Sequence, residues 1–291
     1  MSVEELEAGL LRFLAPNPSP LTAEGTNTYV LLGEACTLID PGPIIESHKD
    51  AIIEALDGRT LEAILVTHSH RDHSPLARPL AELTGAKVYA FGATGTGRSA
   101  IMEDLAAQSS LGGGEGADPD FAPDILLTHG ESIETPAGAI TALHTPGHFG
   151  NHLCFAWNDA LFSGDHVMGW ASTLVSPPDG DLTDFMRSCR LLVERGDRIY
   201  YPGHGDPITS PKDRVEWLIK HRLSRERQVL DALKTASATA RDLTATIYLD
   251  VEKHLWPAAE RNVLAHLIDL TSRGLVAPES TLSRASKFKL I

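Results

Sequence analysis

The chain has 291 residues, of which 42% are hydrophobic and 22% charged, with a net charge of −14. That is the make-up of a soluble globular protein with room for one large domain or two. It excludes a membrane span, because no apolar run approaches the needed length, and its three cysteines exclude a disulfide framework.

Cys36, Cys154 and Cys189 each sit among apolar residues and read as buried small hydrophobes of a reducing compartment. The start, Met1–Glu7, is acidic and lacks a basic stretch followed by an apolar run, so no secretory signal is predicted and the expected location is cytoplasmic. Charge is unevenly spread: residues 212–291 hold 14 Lys+Arg against 10 Asp+Glu, whereas residues 1–211 hold 11 against 29. Two domains with different roles would produce this pattern, and so would two ordinary solvated surfaces.

In chain order, short apolar strands are predicted over Thr28–Leu32, Thr37–Ile39, Ala63–Val66, Val88–Phe91, Ala139–Leu143, Leu153–Trp157, Ala160–Phe162 and Arg198–Tyr201. Helices are predicted over Ser47–Leu56, over Pro75–Leu83 with Ser74 as N-cap, and over Thr183–Glu194. The Gly-rich acidic run 109–120 reads as a disordered surface excursion, with a mobile lid as the alternative. From about Pro211 the texture becomes helical, over Asp213–Leu233, Ala240–Val251 and Ala258–Ser272, and Lys287–Leu290 alternates like a strand. Three helices and a terminal ribbon suggest a winged helix. The predicted division is therefore a catalytic domain over 1–210 and a winged-helix-like domain over 211–291.

Seven residues carry the chemistry: His68, His70, Asp72 and His73 in one run, then His148, Asp165 and His204 in three small-residue turns. His68, His148, Asp165 and His204 each follow a different predicted strand, which is how layered α/β proteins place active-site loops at one sheet edge. His68 and His70, two apart on extended backbone, point the same way and can share one ion with His148. Asp72 and His73 can hold a second ion with His204, and Asp165 can reach between the two. Imidazole suits zinc, and the carboxylates also tolerate manganese or iron. Two such ions sharing a water would supply a hydroxide nucleophile near neutral pH, so the chain reads as a metal-dependent hydrolase.

Thr67–His73, Thr145–His148, Ser163–Asp165 and Pro202–Gly205 resemble, in order, the motifs of the metallo-β-lactamase superfamily, over roughly residues 10–210. The resemblance implies an α/β fold, a four-layer αβ/βα sandwich with a dinuclear metal site on one edge. It also implies the same ligand sets: His68, His70 and His148 for one metal, Asp72, His73 and His204 for the other, with Asp165 bridging. Asp40, in Ile39-Asp40-Pro41-Gly42, matches the motif whose carboxylate supports the ligand loop. A bridging carboxylate looks like the thioesterase, lactonase and nuclease branches rather than the β-lactamases. Residues 17–29 and the helix around His221–Glu226 are similar to the lactamase-beta-like protein 2 group, which appends a C-terminal winged helix. Its animal members include an endoribonuclease acting on single-stranded RNA.

Asp72, Asp165 and His152 are the candidate catalytic groups. His152 reads either as a structural, hydrogen-bonded residue or as a proton donor. His166 is expected to point away from the site. Trp170, Thr173 and Asp184 are candidates for the substrate entrance; Arg222, Arg225 and Arg227 read as a solvated helix face, with contact to an anionic substrate as the alternative. The expected activity is endoribonuclease-like phosphodiester cleavage, with hydrolysis of a small-molecule ester or thioester of glyoxalase II or lactonase type as the alternative. A non-catalytic, metal-containing nucleic-acid-binding regulator is the reading from another class, disfavoured because all seven ligands are present. No membrane partner and no sequence-specific DNA are expected, since Arg261 on the last helix is countered by Glu260 and Asp269. A homodimer is left open.

Overall fold

A computed structural model gives the structure of residues 3–108 and 111–291. One sheet has seven strands in sequential order: β1 (Val3–Glu7), β2 (Leu10–Leu14), β3 (Asn27–Leu31), β4 (Cys36–Ile39), β5 (Leu61–Leu65), β6 (Lys87–Ala90) and β7 (Ile125–Leu126). It is antiparallel from β1 to β4 and parallel from β4 to β7. The second sheet contains β8 (Ser132–Thr135), β9 (Gly138–His144), β10 (Leu153–Trp157), β11 (Ala160–Gly164) and β12 (Ile199–Pro202), ordered β12-β11-β10-β9-β8.

The strands read as continuous apolar runs because both faces are buried, each against a different core. In β10, Leu153, Phe155 and Trp157 face the first sheet, while Cys154 and Ala156 face outward under helices. In β5, Ala63 and Leu65 face inward and Ile64 outward. Helices α1 (Glu46–Leu56) and α2 (Ala77–Thr84) cover the outside of the first sheet through Ile52, Leu56 and Leu80. A short α3 (Ala100–Ala107) follows β6. Helix α4 (Leu182–Val193) covers the second sheet through Leu182, Phe185 and Cys189, its start capped by the Asp181 carboxylate accepting from Thr183 N and Asp184 N. The four-layer sandwich expected from the sequence is the fold. All three cysteines are buried and free, and burial pushes the Cys154 and Cys189 thiols up to about 12.

The long helix α5 (Pro211–Leu233) lies against α4 at its start and carries the chain into a second unit. That unit contains α6 (Ala240–Ile247), α7 (Trp256–Ser272) and a three-stranded sheet of β13 (Ala238–Thr239), β15 (Lys287–Leu290) and β14 (Val276–Pro278). This is the helical region with a small sheet expected of a winged helix. Among the described residues, no helix is long and apolar enough to cross a membrane.

Several local expectations are corrected. Ser74 is not a helix cap: α2 begins at Ala77, and Ser74 Oγ donates to Asp118 Oδ2 (2.8 Å) and His70 O (3.2 Å). Helix α6 stops at Ile247, where Tyr248 leaves helical geometry. The acidic strand β1 and the exposed edge strand β8 were not anticipated. Ser109 and Ser110 of the Gly-rich run lie outside the described residues; from Leu111 onward the run is pinned to the body rather than loose. Leu111 is buried in the second unit's core, Arg71 N donates to Gly116 O (2.8 Å), and Asp118 N donates to Ser69 O (2.8 Å).

His48 on α1 is buried, with Nε2 2.9 Å from Thr28 Oγ1, and burial lowers its pKa from 6.5 to about 4. Folding therefore favours the neutral ring, so its contribution is complete above pH 6.5 and is lost as pH falls toward 4. Between pH 6.5 and 5 the protein should lose up to about 2 kcal/mol from this group. Urea unfolding at both pH values should show a shallower loss for His48→Gln than for the parent; equal losses would refute the assignment.

Candidate metal centre

The site lies where the ends of co-directional strands from both sheets meet. Thr67–His73 follows β5, His148 follows β9, Asp165 follows β11 and His204 follows β12. Leu153 N donates to Thr67 O (2.7 Å), joining the two sheets at this edge. Gly147, at φ +143°, is required beside His148: a Cβ there would come within 2.3 Å of Phe185 Cα, on α4.

The seven predicted ligands come together as two adjoining sets, one of His68, His70, His148 and Asp165 and the other of Asp72, His73 and His204. In the first, His70 Nδ1 lies 2.8 Å from His68 Nε2 and 3.1 Å from His148 Nε2. Asp165 Oδ2 lies 3.7 Å from His148 Nε2 and 4.0 Å from His68 Nε2. In the second, Asp72 Oδ2 lies 3.2 Å from His204 Nε2 and 3.4 Å from His73 Nε2. Asp165 also faces this set, with Oδ1 3.5 Å from His73 Nε2 and Oδ2 3.3 Å from His204 Nε2. Ligands about 2.0–2.1 Å from a tetrahedral ion stand about 3.3 Å apart, and these separations bracket that spacing.

The outward nitrogens fix which lone pairs face the centre. His148 Nδ1 donates to Leu174 O (2.7 Å) and His204 Nδ1 to Gly25 O (3.0 Å). His73 Nδ1 donates to Asp40 Oδ2 (2.9 Å). Thr67 Oγ1 donates to the same Asp40 oxygen (2.8 Å), which leaves it to accept from His68 Nδ1 (2.9 Å). Each of these four rings therefore turns an unprotonated Nε2 toward the ligand set when neutral. The donors fit a divalent metal on a further observation: Asp165 Oδ1 is buried without a hydrogen-bond partner. A Cβ on Gly203 would come within 2.3 Å of that oxygen, so glycine keeps the space open.

The electrostatics divide the centre in two. Burial would raise the Asp165 and Asp72 carboxyls, but His204 and His73 beside Asp165, and His73 beside Asp72, hold both well below the usual range. Burial would lower His204, but Asp165 and Asp72 raise it to about 9, and the carboxylates Asp72, Asp165 and Asp40 raise His73 likewise. In the other half, burial and neighbouring imidazoles push His68 well down and His70 to about 3. Positive charge thus belongs beside the carboxylates, where a cation would take the place of protons.

His152 sits behind this cluster, its ring 5.2 Å from that of His68, with Nδ1 3.0 Å from Thr145 Oγ1. It is completely buried, burial holds it neutral, and its Nε2 has no hydrogen-bond partner. His166 points away, with Nε2 3.6 Å from Cys189 Sγ and its ring against Phe185. Of the entrance candidates, Trp170 is 45% exposed and lies against Gly205, next to His204. Thr173 is instead buried, donating to Asp165 O (3.1 Å), and Asp184 is buried on α4 beside Arg187. Arg222 is not on a solvated face: it is buried and donates to Ser172 O, Thr173 O and Asn262 Oδ1. Arg225 lies over the Tyr248 ring at 4.2 Å.

Sequence reasoning missed the supports of the second set. Asn17 Nδ2 donates to Thr26 Oγ1 (2.9 Å), and Thr26 Oγ1 donates to Asp72 Oδ2 (3.1 Å). Asn27 Nδ2 donates to Pro202 O (3.0 Å) and Gly205 O (2.8 Å), flanking His204. The conspicuous Asn17–Tyr29 stretch was the available signal.

Residues 21–204 match the metallo-beta-lactamase superfamily, and residues 239–284 match the beta-lactamase associated winged helix domain. The chain is similar to the Beta-lactamase-like protein 2 homolog of Drosophila melanogaster, 30% identical over 294 residues, covering 94% of this chain and 91% of that protein. It is also similar to an atrochrysone carboxyl ACP thioesterase of Aspergillus fumigatus, 31% identical, covering 80% of this chain and 67% of that protein. A metallo-beta-lactamase family protein from Thermus thermophilus has a similar structure, with TM-score 0.78 and 27% identity, covering 99% of this chain and 100% of that one. With this fold and this ligand set, the chain belongs to the metallo-beta-lactamase superfamily and is a metal-dependent hydrolase.

Proposed function

We propose that the protein is a dinuclear zinc hydrolase of acyl thioesters or related esters, with residues 1–210 catalytic and residues 211–291 supporting. The surface beside His204 carries the choice of substrate. Trp170, Gly169, Asp206, Ile208, Asp213 and Arg214 line an open groove of about 560 Å³. Its guanidinium is engaged: Arg214 donates to Met168 O (2.7 Å) and Ala171 O (2.6 Å) and lies over the Trp217 ring. A groove with an aromatic wall and two carboxylates suits a neutral acyl or thiol-bearing chain and opposes a polyphosphate backbone. The likeness to a fungal thioesterase supports the same reading.

His68, His70 and His148 would hold one ion, Asp72, His73 and His204 the other, and Asp165 both. When bound, the pair supplies a water of lowered pKa and stabilises developing oxyanion charge. Asp72, with a quarter of its side chain exposed against 8% for Asp165, is the more solvent-accessible of the two carboxylates. His152 steadies the turn that carries His148, through its hydrogen bonds with Thr145. A second reading, cleavage of single-stranded RNA, rests on the resemblance of residues 17–29 and His221–Glu226 to the lactamase-beta-like protein 2 group.

Purified, metal-quantified protein should hydrolyse an S-acylglutathione thioester, lose that activity with chelator, and leave labelled single-stranded RNA intact. Chelator-sensitive RNA cleavage without thioester turnover would replace the first reading with the second.

A further inference from the structure

The supports of the two ligand sets come from opposite ends of the chain. The second set is held by the N-terminal segment: Gly25 O accepts from His204, and Thr26 donates to Asp72. The first set is held by the winged helix. On α7, Arg261 is buried, and a buried guanidinium is tolerated only when its donors are satisfied. Its Nε donates to Ser176 Oγ (2.8 Å), its Nη1 to Leu111 O (2.6 Å), and its Nη2 to Pro177 O.

Those partners belong to two segments that each end on a ligand of the first set. Leu174 O accepts from His148 Nδ1 (2.7 Å), and the next residue, Val175, donates its N–H to Asn262 Oδ1 (3.0 Å). Asn262 neighbours Arg261 on α7, so two adjacent residues hold the stretch behind His148. The other segment leaves Leu111, is fixed at Gly114 by Asp179 (2.6 Å), and reaches Ala117, which pairs with His70. Arg71 N and Nε donate to Gly116 O and Ala117 O, both at 2.8 Å.

We infer that Arg261 and Asn262 are positioning residues for the first metal position, clamping His70 and His148 from the winged-helix domain. The winged helix here presents these side chains inward, and its role is to complete a metal site in the neighbouring domain. The inference rests on the two-position reading of the centre.

The test is titration of the metal-free full chain with ¹¹³Cd²⁺, followed by ¹¹³Cd NMR, for the parent, Arg261→Met, Asn262→Ala and Asn17→Ala. The parent should bind two ions with distinct resonances, one rich in nitrogen ligands and one richer in oxygen. Arg261→Met and Asn262→Ala should weaken the nitrogen-rich position about 10- to 100-fold, the usual cost of losing such a support, and leave the other unchanged. Asn17→Ala should do the reverse. Asn262→Ala removes no charge and tests the clamp if Arg261→Met does not fold. Equal weakening of both positions, or of neither, overturns the inference. A parent that binds a single ion overturns the two-position reading instead.

Discussion

Asp165→Ala should abolish turnover while leaving the fold in place. The carboxylate faces both ligand sets, 3.3 Å from His204 Nε2 and 3.7 Å from His148 Nε2 through the same oxygen. Its removal takes an acceptor from each half and the negative charge that keeps His204 raised. A methyl group fits the vacated space, and Asp165 Oδ1 makes no hydrogen bond whose loss would strain the turn. The expected loss is about three orders of magnitude in kcat/KM, roughly 4 kcal/mol of transition-state stabilisation, with much of the second metal lost. Circular dichroism should be unchanged. Full activity at full metal content would show that the bridging assignment is wrong.

Asp40→Asn should have the largest effect among residues that touch no metal. Asp40 is buried and accepts three times: Thr67 N at Oδ1 (2.7 Å), and Thr67 Oγ1 (2.8 Å) and His73 Nδ1 (2.9 Å) at Oδ2. A carboxylate serves three donors, whereas an amide in either orientation turns an N–H₂ group against at least one of them. If it takes the Oδ2 position, the Thr67 hydroxyl must turn to accept and the amide meets the His73 Nδ1–H donor head-on. The expected cost is roughly 2–4 kcal/mol of stability, together with weakened metal binding at His73. Denaturant unfolding and metal analysis after dialysis measure the two effects separately. A variant with parental stability and metal content would mean that Asp40 does not organise the ligand loop.

The sandwich was legible in the sequence because its inner strands are buried on both faces. Leu153–Trp157 can read only as a buried strand once Cys154 and Ala156 face a second apolar layer. The edges were not legible: β1 is Val-Glu-Glu-Leu-Glu, mostly exposed, and its composition does not announce a strand. The seven candidate ligands were legible because only a few residue types hold metals and these recur at fixed places after strands. Of their supports, Asp40 was legible from its motif; Asn17 and Thr26 lay in a stretch noticed without a role, and Arg261 and Asn262 are ordinary polar residues far from the motifs in sequence. Arg222 misled for the same reason: periodicity placed it on a charged helix, but the 172–173 carbonyls that bury it are supplied by a distant loop.

The helix α5 has a consequence for how the molecule comes apart. The superfamily match ends at residue 204 and the winged-helix match begins at residue 239, so α5 belongs to neither. Yet Val215 and Leu218 are buried with α4 and the second sheet, while Val229 and Leu233 are buried in the winged-helix core. Melting either core would strip one half of a continuous helix and leave its hydrogen bonds propagating into an unsupported end. The two regions are therefore expected to melt in one transition, with the segment between the two matches acting as the thermodynamic coupling.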